Sequence, residues 1–384
     1  VKALQRLKEL HERFGYFTLA LLVFIASFLL LPTSKMVNNV YYVLLALPAL
    51  FVLLRTLGRV VEPSPILHVC GLLGAWYLLI GALSAEPQFF KHLLYVALFV
   101  LLVSQLVDPR LFRTSTFSRS LFWGLLIYIL GSAIIYWTTG RYALGQRVLW
   151  LPGRMTGPIY TSMWLACCFA LALPTWLTQR RWLELSAAAL LALFCMAYVL
   201  QSRSGLLGMV AIAALLAGWL LLRRARYLLL LLGVVVLSLA VLTLFIAREI
   251  PEVARLFIRA DAGRLQLWRI LVGEWVDCGL WLGCGMQHVS EATILRSRPI
   301  QHPHNIFLAL GLYSGLVSLL IFLALVALVL RRAWLRSDPW GLYLLVALIV
   351  LNFDGSKLVG NPDELWLLVL MPMALIANQR RDTT

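Results

Sequence analysis

Long apolar runs broken by short basic caps set the pattern of this chain. A helix crosses the hydrocarbon core of a bilayer with roughly 20 apolar residues. Twelve runs qualify, at approximately 14–31, 38–56, 64–83, 89–106, 117–138, 158–178, 182–200, 203–222, 225–247, 304–330, 336–353 and 364–378. The pattern predicts an all-α polytopic membrane protein with about 12 transmembrane helices. It divides the chain into helices 1–9 over residues 1–247, one long loop over 248–303, and helices 10–12 over 304–384. The loop is too short for a core of its own and is expected to lie on the bundle as short amphipathic helices.

Positive charge orients the runs. With the N-terminus in the cytoplasm, every cytoplasmic segment holds at least two Lys or Arg, from Lys2, Arg6, Lys8 and Arg13 at the start to Arg380 and Arg381 at the end. Four external segments hold one each: Lys35, Lys91, Arg203 and Lys357. Two external segments break the rule, one with Arg141, Arg147 and Arg154, the other with seven arginines between 248 and 298. Both termini are expected inside, with the two exceptions marking where function outweighs topology. The basic start feeds an apolar run with no small-residue cleavage site, so the first helix is expected to stay.

Composition sharpens this picture. At 62% hydrophobic and 13% charged over 384 residues, no soluble domain could hide so much apolar surface. A net charge of +16 would point to nucleic acid in a soluble protein. Here the basic residues cap apolar runs, so membrane lipid is the expected partner and nucleic acid is not. Cys70, Cys167, Cys168 and Cys195 fall inside apolar runs and read as small core residues. Cys278 and Cys284 flank a glycine-bounded turn in the long loop, where a disulfide or a free pair both fit; zinc fits poorly, with His288 the only nearby partner.

The arginine-rich loop carries the candidate chemistry. Arg248, Arg255 and Arg259 are spaced by seven and four and share one helical face. After Gly263, Arg264 and Trp268 stand four apart on a second predicted helix, close enough for a cation–π pair. The loop then runs into His302-Pro303-His304-Asn305 at the start of a long apolar run. A histidine there is ordinarily a wet cap residue. Beside so many arginines it is also a candidate general base, held neutral by the positive field. Arg203, in Ser202-Arg203-Ser204-Gly205, reads as a snorkelling residue or as a phosphate contact. Arg147 and Arg154 flank a Pro-Gly turn and read as lipid-headgroup or ligand contacts. Asp-x-Asp pairs are missing near the basic loops, so neither a metal nor another cofactor is expected. Acids are nearly absent from the spans and a phosphate-binding Walker loop is absent, which argues against a proton-coupled transporter and an ATPase.

These pieces, in this order and from about residue 150 onward, resemble the O-antigen ligase and polymerase superfamily of bacterial inner-membrane glycosyltransferases, with a GT-C-like fold. The ligase-type signature is His, then Asn, Ser or Gln, then nine residues, then Gly; it reads here as His304, Asn305 and Gly315, with Ser318 where a second glycine is usual. Gly263-Arg264 through Trp268 resembles the family's arginine–tryptophan helix, Trp281-Leu282-Gly283-Cys284-Gly285 its glycine-rich turn, Ser202-Arg203-Ser204-Gly205 its serine–arginine helix start, and Gly153-Arg154 with Gly157 its earlier periplasmic loop.

The resemblance implies a donor, an undecaprenyl-pyrophosphate-linked glycan, and an acceptor, a sugar hydroxyl on lipid A-core, joined at the periplasmic face with inversion and without metal. In that reading His304 deprotonates the acceptor and Arg264 binds the pyrophosphate. Arg203, Arg154, Arg147 and Arg259 assist, and Asn305, His302 and Trp268 line the site. Choosing His304 over His302 rests on the signature. Glu274 and Asp277 are the loop carboxylates left as alternative bases. Two other functions stay open: a polymerase that extends the lipid-linked glycan, and a flippase or exporter with the basic loop as its docking surface.

Overall fold

The computed structural model describes residues 12–379 except 57–58, 60, 85–86, 156, 291, 295–297 and 301, and, between 225 and 262, all but 226, 230, 233 and 236. Among the described residues the helices are α1 (Tyr16–Leu30), α2 (Ser34–Arg55), α3 (Pro65–Leu83), α4 (Pro87–Gln105), α5 (Ser115–Thr138), α6 (Pro158–Thr178), α7 (Trp182–Val199), α8 (Arg203–Leu222), α9 (Arg264–Cys278), α10 (Ile306–Arg336), α11 (Trp340–Val350) and α12 (Trp366–Ala377). Eight of them (α2 to α8 and α10) are long and apolar enough to cross a membrane, and α1, α11 and α12 are shorter apolar helices. The protein is an all-α polytopic membrane protein; the only sheet among the described residues is a two-residue antiparallel ladder, Thr293–Ile294 with Arg298–Pro299. Of the run expected at 225–247 only 226, 230, 233 and 236 are described, and Arg248, Arg255 and Arg259 lie outside the described residues.

Local chemistry starts and bends these helices. Ser64 caps α3 by accepting from the Leu67 N–H at 3.2 Å, with Pro65 at the first helical position, where its missing N–H costs nothing. Pro48 cannot donate to the preceding turn, and α2 widens into a π turn at Tyr41–Ala46 just before it.

The chain forms two compact units. The first comprises Val1–Ser118, Pro152–Met155 and Gly263–Thr384; the second comprises Arg119–Leu151 and Thr156–Ala262. In the first, Tyr41, Phe99 and Trp366 form a buried aromatic cluster, with ring centroids 4.9 Å apart for Tyr41–Trp366 and 4.7 Å for Phe99–Trp366. Its basic end is tied by Arg113 to Asp338 at 2.8 Å and by Asn378, which donates to the carbonyls of Val103 and Val107. In the second, Phe122, Phe169 and Trp176 pack edge to face, and Arg119 grips both oxygens of Glu184 at 2.8 and 2.9 Å.

The long loop is joined to the membrane helices more deeply than an amphipathic helix lying on the surface would be. α9 stands alongside the start of α10: the Trp268 indole N–H donates to the Pro303 carbonyl at 3.0 Å, and the Trp275 ring lies over Gly311. α10 breaks at Gly315, which has φ 78°. The break leaves the Leu312 carbonyl and the Leu316 N–H without helical partners. The turn after α9 supplies them: the Cys284 N–H donates to Leu312 O at 2.6 Å, and Leu280 O accepts from Leu316 N at 2.9 Å. A Cβ at position 315 would collide with the Trp281 carbonyl, so the last glycine of the signature is the seat of this turn. The Cys278–Cys284 disulfide closes the turn, which settles the alternatives left open by the sequence and removes both thiolates from any metal site.

Gly315→Ala is therefore expected to displace the turn. The backbone there, with φ 78° and ψ 175°, is nearly closed to a residue with a Cβ and costs an alanine about 1–3 kcal/mol before any clash is counted. The expected result is a lower Tm and faster amide exchange in 279–284. Unchanged exchange there would show that the turn does not depend on the break.

Candidate active site

His304 sits in the first unit, one residue before α10, in a left-handed conformation with φ 52°. Such a backbone is uncommon for a residue with a Cβ and is held here from both sides. Asn305 caps α10, its side-chain oxygen accepting from the N–H groups of Phe307 at 2.9 Å and Leu308 at 3.0 Å. Its amide donates to Asn352 Oδ1 at 3.4 Å, and the Ile306 N–H donates to the Leu351 carbonyl at 3.1 Å. These bonds lock the start of α10 to the turn that follows α11. Gly355 completes the join: any Cβ there would run into Ile306 N and Leu351 O.

That turn carries Asp354, which is buried and hydrogen-bonded to His304 Nδ1. A carboxylate at this atom holds the ring with its proton on Nδ1. The Nε2 lone pair is then left as the basic atom, on a side chain that is 38% exposed. A buried acid that orients a half-exposed histidine is the arrangement of a general base.

His302 packs its ring against His304, with centroids 3.8 Å apart, and its Nδ1 accepts the His304 backbone N–H at 3.3 Å. Burial first, and then the neighbouring His304, pull its pKa down to about 4 against an opposing pull from Asp354. The unfolded chain binds a proton here near the ordinary value of about 6.5, and the folded chain does so only near 4. Stability contributed by neutral His302 is therefore full above about 6.5 and declines as pH falls towards 4. His302→Gln is expected to flatten the loss of Tm across that window. An unaltered acid limb would place the titration elsewhere.

Arg264 opens α9 directly after Gly263, which is left-handed at φ 79° and offers no side-chain cap. Arg264 thus belongs to a helix start, whose dipole favours an anion. One turn on, Trp268 bonds the Pro303 carbonyl and packs against Phe353, 6.0 Å between centroids. The Arg264 helix start and the His304–Asp354 pair are thereby pinned to the same two loops.

The other expected site residues are placed as follows. Arg154 belongs to the first unit and is held by Glu364, at 2.7 Å and 3.4 Å through its two terminal nitrogens. Asp363 beside it is pushed up to about 8, by burial first and then by Glu364, and caps α12 through the Leu365 N–H. Arg147 and Arg203 lie in the second unit, where Arg147 Nε donates to the Leu200 carbonyl at 2.8 Å and Arg203 begins α8. Arg259 lies outside the described residues. Of the alternative bases, Glu274 is engaged by His288 at 2.8 Å and by Ser290 at 2.5 Å, and Asp277 is exposed on α9.

Among the described residues, His302, His304 and Asp354 also bring three metal-ligating side chains within 4.8 Å. One nitrogen of each ring is engaged, His302 Nδ1 by a backbone N–H and His304 Nδ1 by Asp354. Asp354 itself was missed by the sequence reading. Its signal was its place: the same external segment as Lys357, on the side assigned to His304.

With that geometry in hand, comparison with known proteins becomes informative. A family model described as O-antigen ligase matches residues 187–323, the stretch that holds Arg203, Arg264, Trp268, His302, His304, Asn305 and Gly315. A relative named O-antigen ligase, from Pseudomonas aeruginosa, is 27% identical over 362 residues, covering 88% of this chain and 84% of its own. The similarity extends well beyond the signature, and both comparisons support the O-antigen ligase superfamily.

Proposed function

We propose that this protein is a glycosyltransferase of the ligase type. It moves a glycan from undecaprenyl pyrophosphate to a sugar hydroxyl of lipid A-core. It works in the bacterial inner membrane, with both termini cytoplasmic and His304 facing the periplasm. The observation that carries this reading is the His304–Asp354 pair, fixed at the mouth of a membrane helix beside a cationic helix start.

The division of labour follows from the chemistry. Pyrophosphate is a good leaving group and needs charge stabilisation more than a proton. Arg264 and the α9 N-terminus supply it, and Arg154, held by Glu364 in the same unit, assists as a further cationic contact. The acceptor hydroxyl needs its proton removed as it attacks, and His304 Nε2 takes it. Direct in-line attack inverts the anomeric carbon. His302 supports the His304 backbone, Asn305 fixes the helix start, and Trp268 fixes α9 against Pro303. A flippase would have no use for the oriented base.

No metal enters this scheme. Purified protein with lipid-linked donor and lipid A-core acceptor is expected to form glycolipid at the same rate with and without EDTA. Loss of activity in EDTA that magnesium or manganese restores would refute the metal-free mechanism.

A further inference from the structure

α10 is longer than a bilayer requires. Its 31 residues, in two segments that meet at the Gly315 break, would extend about 46 Å if straight, against a hydrocarbon core of about 30 Å. Arg331, Arg332 and Arg336 mark its basic end. Counting about 20 residues back from Arg331 puts the opposite edge of the core near residue 311. A second contact agrees: Gly285 lies against Ser84, the residue just past α3, while its neighbour Cys284 bonds Leu312. The 279–283 turn therefore sits at the edge of the hydrocarbon. α9 rises above it, with Trp275 level with Gly311, Trp268 level with Pro303, and Arg264 one turn beyond.

Above that edge a helix should show water a polar face. α9 does so in part, with Gln266, Arg269 and Asp277 exposed, but while it buries Leu267 and Leu271 it also exposes Leu265, Val272 and Val276, which are spaced by seven and four on the opposite side. The exposed line continues through Leu280, Trp281 (62% exposed) and Leu282 in the turn. From Leu265 to Val276 it climbs about 17 Å. Apolar surface of this kind outside a bilayer calls for a cover. The two ends of the line differ in character. Arg264 and Arg269 stand at the upper part, and an aromatic residue stands at the hydrocarbon edge, where membrane proteins place tryptophan. The complement is an amphiphile whose anionic head has been drawn above the core while its tail stays rooted in it.

We propose that the line from Trp281 through Val276 and Val272 carries the proximal hydrocarbon of a polyisoprenyl pyrophosphate whose head lies at Arg264. This rests on the donor assigned above. It adds where the chain leaves the bilayer and predicts that affinity depends on tail length.

The test uses Trp281→Ser with Val276→Asn, both at exposed side chains, in detergent-solubilised full-length protein. Dissociation constants are measured by native mass spectrometry for undecaprenyl pyrophosphate and for geranyl pyrophosphate. Losing partial burial of two apolar side chains is expected to weaken the long-tailed ligand about tenfold or more. Geranyl pyrophosphate binding should stay unchanged, because its head contacts are intact. The inference is overturned if the double variant keeps the wild-type ratio of the two constants, if both ligands weaken equally, or if wild-type protein does not distinguish them. Wild-type protein that shows the tail dependence but forms no glycolipid would overturn the transfer reading and leave the tail track standing. Wild-type protein that transfers while the variant keeps its ratio would do the reverse.

Discussion

His304→Ala is expected to remove turnover while lipid-linked donor still binds. The lost general base costs about 10²–10⁴ in rate. The donor's pyrophosphate is held by the α9 start, which the substitution does not touch. Asp354→Asn should resemble it, because an amide no longer fixes the proton on His304 Nδ1 and the ring can present the wrong nitrogen to the acceptor. His302→Ala is the control and should keep more activity, since its contact is to the His304 backbone N–H. Steady-state transfer and donor binding, measured on the same samples, decide this. Full transfer by His304→Ala, with loss in His302→Ala, would move the base to the neighbouring ring. Full activity in both would remove histidine from the mechanism.

Arg264→Ala should lose transfer altogether, and Arg264→Lys should recover little of it. A lysine keeps the charge but not the planar fork that grips two phosphate oxygens. Removing one such electrostatic contact to developing charge typically costs about 10²–10³ in rate. Unlike His304→Ala, both variants should also bind donor more weakly, because their contact is to the leaving group. Near wild-type kinetics in the lysine variant would show that bulk positive charge is enough at that position.

What the sequence could reveal depended on whether a signal was local. Apolar runs are local, so eleven of the twelve expected runs coincide with described helices, and of the remaining one only four residues are described. The Arg264–Trp268 spacing and the step from His304 to Gly315 are local too. The structure gives the second a physical meaning, a broken helix that receives the loop's turn. Asp354 was not legible, because its partner lies 50 residues away and only the folded join between α10 and the post-α11 turn brings them together. The Arg154–Glu364 pair, 210 residues apart, was hidden for the same reason. The disulfide lay between these extremes. Its spacing permitted it, and only the turn geometry, with Cα atoms 5.0 Å apart, decides for it.

The most direct measurement of the central claim is the mass of the product. Purified protein is incubated in EDTA with undecaprenyl-pyrophosphate-linked glycan and lipid A-core, with and without the acceptor, and the lipids are analysed by mass spectrometry. The account predicts an acceptor-dependent glycolipid whose mass is the sum of the glycan and lipid A-core less water, with undecaprenyl pyrophosphate released. It is contradicted if the donor instead grows into longer lipid-linked glycan without acceptor, or if no new glycosidic bond forms.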